Sequence, residues 1–161
     1  MILSRKRKIT GKEEALSKAM RYCAYQERCS KDVEKKLYEW GLPEESHQWV
    51  IQKLVADKFI DNKRFAMSYA RSKLNFNQWG RNKIRAGLNF KGVDKDLVDN
   101  AIDLLDETLY RETLKKLALD KAQYTGVESF EQLAKLKRFL LQRGFEYKEI
   151  ETVIQEIKKE K

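Results

Sequence analysis

The sequence predicts an all-α protein made of three tandem repeats of three helices each, stacked into an elongated array, straight or curved. Three observations predict it. The 161 residues include only one proline and seven glycines. Apolar residues recur three and four positions apart, which is the spacing of one helix face. Gly41, Gly92 and Gly144 each follow a helical pattern and lie 51 and 52 residues apart, which is typical of an internal repeat.

The apolar residues around these three glycines align as well. They are Val33, Ile84 and Leu136 eight positions before the glycine, Leu37, Leu88 and Leu140 four before it, and Leu42, Val93 and Phe145 one after it. A spacing of four keeps the first two sets on one helix face. Each repeat therefore contains a helix, a glycine turn and a second helix.

A further helix precedes each hairpin, over Glu13–Gln26, Asn62–Leu74 and Glu107–Gln123. Three-helix units of about fifty residues bury little core alone, so we expect them to stack on one another. The sequence is accordingly divided into four parts. These are a flexible basic arm at 1–12 and repeats at 13–57, 58–106 and 107–161.

Several helix starts carry capping signals. Asp61 is positioned to cap the helix that follows it, with Ile60 and Phe65 as a hydrophobic staple, and Ser129 with Gln132 forms a capping-box pattern. Pro43 followed by two glutamates suits the first turn of a helix, where its missing N–H costs nothing.

The net charge of +9 is unevenly distributed. Residues 58–93 carry nine basic side chains and a single acid, Asp61, whereas residues 13–57 carry seven basic and nine acidic side chains. A polyanion should therefore meet the central repeat and the basic arm, which contains Arg5-Lys6-Arg7-Lys8.

The residues favour a binding protein over an enzyme. Cys23, Cys29 and His47 are too few for a zinc site made of thiolates and imidazoles. Gly87 and Gly92 have the spacing of a phosphate-binding loop, but Val93-Asp94 follow where lysine and a hydroxyl residue are required. No run approaches the roughly 18 apolar residues of a membrane span. We expect no catalytic residue, cofactor or metal, and a cytoplasmic location.

The candidate binding residues lie in the basic centre. Arg64 and Arg71 share one helix face, Arg81 and Arg85 line the next helix, and lysines including Lys73 and Lys83 widen the positive surface. Guanidinium groups fit phosphates and carboxylates alike, so a nucleic acid and an acidic protein groove both remain open. A merely solvated charged face is the third possibility.

Two aromatic residues separate these helices. We expect Phe76 and Trp79 to plug the junction between them; alternatively, Trp79 stacks on a base or anchors a protein contact.

The run FIDNKRFAMSYARSK at residues 59–73, followed by Gly80, Ile84, Leu88 and Gly92-Val93, resembles the central signature of the bacterial RecX regulatory proteins. In the first repeat Ala15-Leu16, Tyr22, Arg28 and Ser30 are similar to that family too. Asn62 departs from it, since the family often has a second acid after Asp61.

The resemblance implies three tandem three-helix repeats that bind the RecA recombinase along the groove of its DNA filament and restrain its ATPase, its growth and strand exchange. It implies contacts to RecA and to the phosphate backbone of single- and double-stranded DNA, from a protein that we expect to be a monomer. The candidate site comprises Arg64, Arg71, Lys73, Trp79, Arg81, Lys83 and Arg85.

Two alternatives stay open. A direct DNA-binding protein would use its hairpins as helix-turn-helix readers, although the second helices are acidic, as Glu44-Glu45 and Asp94-Asp96-Asp99 illustrate. A general helical-repeat adaptor would need no basic centre.

Overall fold

A computed structural model describes residues 9 and 11–160, which form nine α-helices and no β-strand. The helices are α1 (Lys12–Tyr25), α2 (Ser30–Glu39), α3 (His47–Ala56), α4 (Asn62–Asn77), α5 (Arg81–Phe90), α6 (Lys95–Asp103), α7 (Glu107–Thr125), α8 (Phe130–Gln142) and α9 (Tyr147–Lys159). These nine helices confirm the predicted all-α class. They follow one another in three sets of three. None of these helices is long and apolar enough to cross a membrane.

The three glycines that define the repeat adopt the backbone conformation that the sequence requires of them. Gly41, Gly92 and Gly144 have φ values of 79°, 74° and 94°, in the left-handed region that side chains with a Cβ rarely adopt. After α2, Leu42 N donates to Leu37 O at 3.1 Å, which closes the turn that commonly ends a helix at glycine. The predicted helix ends at these glycines are confirmed.

The aligned apolar residues form the core. All nine flanking positions are buried, and so are the inward residues of the third helix in each repeat. The buried set includes Val33, Leu37, Leu42, Val50 and Leu54; Ile84, Leu88, Val93, Ala101 and Ile102; and Leu136, Leu140, Phe145, Val153 and Ile154. The repeat alignment therefore identified three core positions, each present in three copies.

Two predicted caps are confirmed. Asp61 Oδ1 accepts a hydrogen bond from Arg64 N at 3.0 Å. Ser129 Oγ accepts from Gln132 N at 3.1 Å, and Gln132 Oε1 accepts from Ser129 N at 3.1 Å. After Pro43 the chain first forms a 3₁₀ turn, Glu44–Ser46, and the α-helix then begins at His47.

The described residues belong to two compact units. The first contains α1–α3, the first residues of α4 and the turn Lys91–Val93. Ile9 is buried in it, and Ile9 N donates to Trp40 O at 2.8 Å. Residues 1–8 and 10 of the predicted basic arm lie outside the described residues. The division of the chain at 12, 57 and 106 stays a prediction.

The second unit contains the rest of α4 and α5–α9. Within it, the loop before α5 lies directly against the turn between α8 and α9. Gly80 N donates to Arg143 O at 2.8 Å, and Asn82 N donates to Gly144 O at 2.9 Å. These carbonyl groups satisfy amides at the start of α5 that have no partner within the helix. A Cβ on Gly80 would lie 2.5 Å from Gly144 O, so this approach requires glycine.

Replacing Gly144 with alanine should destabilise the protein more than the same replacement at Gly92. Both positions have positive φ, which costs a side chain about 1–2 kcal/mol. A Cβ on Gly92 meets nothing closer than 3.9 Å, whereas one on Gly144 would lie 2.5 Å from Lys83 N. We expect Gly144→Ala to lose about 2 kcal/mol more, as overpacking does. Urea unfolding of both variants measures this difference, and equal losses would contradict the close approach.

Candidate functional site

Two lysines of the second unit converge on one tryptophan. Lys73 Nζ and Lys83 Nζ each lie 4.7 Å from the centroid of the Trp79 ring. Lys73 Nζ also lies 5.3 Å from the centroid of the Tyr69 ring, which meets Trp79 edge-on at 6.5 Å. We call Tyr69, Lys73, Trp79 and Lys83 the Trp79 cluster. Its two ammonium groups lie within the range of cation–π attraction.

Local sequence explains how these side chains meet. Tyr69 and Lys73 are one turn apart on α4, so they share a face. Trp79 lies in the loop after α4, and Trp79 N donates to Lys73 O at 3.0 Å. Gly87 of α5 leaves space for the Tyr69 phenol, because a Cβ there would lie 2.9 Å from Tyr69 Cζ.

The Trp79 cluster carries positive charge that no acid neutralises. Within residues 9 and 11–160, neither Lys73 nor Lys83 forms an ion pair with a carboxylate. An aromatic ring attracts an ammonium group without taking up its three hydrogen-bond donors. These two side chains therefore remain available to an external anion.

Arg81, another predicted contact residue, is held inside the second unit. Its guanidinium donates to Glu146 Oε2 at 2.8 Å and to Glu107 Oε1 at 2.6 Å. The same group lies 3.8 Å from the centroid of the Tyr110 ring, and the Arg81 side chain is only 16% exposed. Arg81 thus fixes the start of α5, which carries Lys83.

Tyr110 completes this network. It is fully buried, its hydroxyl donates to Glu146, and Arg81 N donates to that hydroxyl at 3.0 Å. Burial, together with the hydrogen bond to Glu146, raises the pKa of the Tyr110 phenol far above its ordinary value. The phenol therefore stays protonated and keeps its hydrogen bond to Glu146 at physiological pH.

The other predicted arginines are distributed over separate places. Arg85 pairs with Asp99 in the second unit, and Arg64 pairs with Glu27 in the first. Arg71 is exposed, and its Nε donates to Met67 O of its own helix at 3.4 Å. Arg71 lies two residues from Lys73, which is about 200° around the helix, so it is not part of the Trp79 cluster.

Phe76 contradicts one expectation from the sequence. It is 82% exposed, so the prediction that it plugs the junction between helices is wrong. Leu74, two residues earlier, is the buried residue of that turn, and a step of two residues points Phe76 away from the core. Trp79, by contrast, is half-buried and packs beside Tyr69.

Sequence reasoning missed Tyr69, the supporting Gly87 and the acidic partners of Arg81. Tyr69 is not among the candidate residues named from the sequence, and Gly87 appears there only as part of a phosphate-loop spacing. The spacing of four between Tyr69 and Lys73 is the signal that pointed to a shared face. No local signal identifies Glu146 as the partner of Arg81, because the two lie 65 residues apart.

A groove elsewhere in the second unit is less suited to a polyanion. Its volume is about 300 Å³, and it lies between the end of α4 and α7. Its lining includes Glu112, Lys116 and Asp120. Two carboxylates against one ammonium group would repel phosphates, so the Trp79 cluster remains the candidate site.

Comparisons with known proteins identify the family. Models of the three RecX domains match the chain in order: the first three-helix domain at residues 15–54, the second at 61–102 and the third at 109–154. The chain belongs to the RecX family. This confirms both the family resemblance and the three tandem three-helix repeats.

Individual relatives agree. The regulatory protein RecX of Limosilactobacillus reuteri (strain DSM 20016) is 30% identical over 89% of this chain and 55% of its own length. That of Clostridium botulinum (strain Eklund 17B / Type B) is 31% identical over 95% of this chain and 74% of its own length. The chain thus spans about half the length of some curated relatives. These RecX relatives are named as regulatory proteins.

A solved structure shows the same fold. The crystal structure of RecX from Lactobacillus salivarius superposes with a TM-score of 0.80 at 32% identity, covering 91% of this chain and 96% of the other. A second crystal structure, of a regulatory protein RecX, also gives a TM-score of 0.80, at 30% identity over 88% of this chain and 70% of the other.

Replacing Arg81 with methionine should destabilise the protein, whereas Arg71→Met should not. Removing Arg81 leaves the half-buried Glu146 without its cation, and breaking such a pair costs about 2 kcal/mol when it is partly solvated. Arg71 is exposed, and substitutions of that kind change stability by less than about 0.5 kcal/mol. Thermal and urea unfolding of the two variants measure this contrast. Similar stabilities would show that the Arg81 network does not hold the second unit.

Proposed function

We propose that this RecX-family regulator binds the RecA recombinase and its DNA filament, as a monomer in the cytoplasm. It inhibits the RecA ATPase, filament extension and strand exchange, and so regulates homologous recombination, DNA repair and the SOS response. Family membership supports the proposal, because the relatives are named regulatory proteins. The basic centre of the chain supports contact with a negatively charged filament.

The observation that carries the proposal is the pair of unneutralised lysines in the Trp79 cluster. Arg64, Arg81 and Arg85 are each paired with carboxylates, which lowers their attraction for an external anion. Lys73 and Lys83 are held side by side over one ring and keep their donors. Contact with filament phosphates or carboxylates is therefore assigned chiefly to Lys73, Lys83 and Trp79.

The remaining predicted residues take different roles in this proposal. Arg81 positions Lys83, because its ion pairs fix the first turn of α5. Arg71 offers an exposed charge on the opposite side of α4 from Lys73. Arg64 and Arg85 contribute positive potential that Glu27 and Asp99 partly cancel.

Inhibition follows from differential binding. A regulator changes an equilibrium only by binding one state better than another. A chain that holds filament protein and DNA phosphate at once favours one fixed arrangement of the filament over the rearrangements that extension, ATP turnover and strand exchange require. No catalytic group is needed for this effect.

Reversing both charges of the Trp79 cluster should relieve inhibition. For the Lys73→Glu/Lys83→Glu double variant, we expect at least about tenfold more protein to be needed for half-inhibition of the DNA-dependent ATPase of RecA, or about 1.4 kcal/mol of lost binding. Strand exchange should respond in parallel. Lys135→Glu/Lys148→Glu is the matched control, since both lysines are exposed in the second unit and the charge change is equal.

Circular dichroism checks that both double variants remain helical. If wild-type protein at saturation left the ATPase and strand exchange unchanged, the proposed function would be lost. If both double variants inhibited like wild type, the Trp79 cluster would be excluded from the contact.

A further inference from the structure

The first unit carries a second surface of cations and aromatic rings, on the face formed by α1 and α2. Lys18 and Tyr22 are one turn apart on α1, and Lys36 is one turn before Trp40 at the end of α2. Each lysine lies near the aromatic ring of the other helix. Lys18 Nζ lies 4.5 Å from the Trp40 ring centroid, and Lys36 Nζ lies 5.6 Å from that of Tyr22.

Arg28, in the loop between the two helices, extends this surface. Its guanidinium lies 3.9 Å from the centroid of the Tyr22 ring. It forms no ion pair with a carboxylate in the part of the chain that the structure describes, and its Nε is buried without an acceptor. A buried donor without a partner costs about 1–3 kcal/mol. Stacked guanidinium groups of this kind bind phosphates through paired hydrogen bonds.

Asp32 and Glu39, two acids of α2, are already paired. Asp32 Oδ1 accepts from Lys91 Nζ at 2.7 Å, and Asp32 Oδ2 accepts from Cys29 N at 3.2 Å. Glu39 pairs with Lys36 at 3.1 Å. Lys18, like Arg28, forms no carboxylate pair among residues 9 and 11–160. Although residues 13–57 carry nine acidic and seven basic side chains, the α1–α2 face itself is therefore positive.

The repeat register relates this face to the Trp79 cluster. Lys18, Tyr22 and Arg28 lie 23, 19 and 13 residues before Gly41, and Tyr69, Lys73 and Trp79 lie at the same distances before Gly92. These three positions carry two cations and one ring in the first repeat and one cation and two rings in the second, with the order of cation and ring exchanged on the first helix. The third repeat has Lys121, Thr125 and Glu131 there, with no ring and one acid.

We propose that the α1–α2 face binds the phosphodiester backbone of DNA through Lys18 and Arg28, with Tyr22 and Trp40 as the surface against which the strand packs. Cations interleaved with aromatic rings are typical of surfaces that bind nucleic acid without reading its sequence. Each DNA base offers an aromatic face that can stack on such a ring, which the carboxylates of an acidic peptide do not. This binding does not depend on RecA, so it stands apart from the proposed function.

The first test is the salt dependence of DNA affinity, measured without recombinase. Each neutralised phosphate contributes a slope of about 0.7 on single strands and about 0.9 on duplex DNA in a plot of log affinity against log salt. Lys18→Gln/Arg28→Gln should lower the slope for an oligothymidylate by about 1.4. Arg21→Gln/Lys35→Gln removes one exposed arginine and one exposed lysine from the same two helices and should leave the slope unchanged.

A purely structural role for Lys18 and Arg28 gives a different result. The first double variant would then lose thermal stability while its slope equalled that of the control, and the inference would be overturned. Absence of DNA binding by the wild-type protein would overturn it as well.

The second test measures the fluorescence of Trp40, which lies on the α1–α2 face. The chain has three tryptophans, Trp40, Trp49 and Trp79, so Trp49→Phe/Trp79→Phe leaves Trp40 as the only tryptophan emitter. Its fluorescence should change saturably on titration with an oligothymidylate or a duplex oligonucleotide, and these two arms show which form of DNA is bound. No change with either DNA, or an equal change with polyglutamate at the same charge concentration, would contradict the assignment.

Discussion

Each repeat depends on a left-handed turn that glycine adopts without strain. Gly41, Gly92 and Gly144 reverse the chain after the second helix, and the residue after each glycine is buried against the core. That turn sets the third helix against the first two, and so decides which helix faces are buried and which meet solvent. At Gly144 the constraint is doubled, because the same backbone also receives the start of α5. The position of Lys83 therefore depends on a glycine 61 residues away in the sequence.

The features that could be predicted from the sequence are those with local causes. Helix faces follow from a spacing of four, the turns from glycine, and the caps at Asp61 and Ser129 from side chains within three residues of their partners. The pairing of charges was not predictable in this way. Arg81 meets Glu107 and Glu146 only after the second and third repeats have packed together. Counting charges along a segment cannot distinguish such neutralised arginines from Lys73 and Lys83, which form no ion pair among the described residues, and it does not show the positive α1–α2 face.

The three repeats share one skeleton and differ in what their surfaces offer. In the first two, rings and cations occupy the same register positions before the glycine turn, whereas the third has Thr125 and Glu131 at two of them. In the third repeat some charged groups form ion pairs with a neighbouring helix instead, as in the pairs of Lys137 with Glu151 and of Lys115 with Glu160. In the proposed function, these surface groups make the contacts through which the chain regulates its partner. The rings hold flexible lysines in place, which reduces the entropy lost when an anion binds.

The most direct test of this account is the emission of Trp79 in a chain that lacks the other two tryptophans, Trp40→Phe/Trp49→Phe. An anion that binds Lys73 and Lys83 beside the indole must alter the surroundings of the ring. The account predicts that RecA filaments on DNA change this emission saturably, over the same concentration range in which the protein inhibits the ATPase. Inhibition at full strength with unchanged Trp79 emission would contradict it.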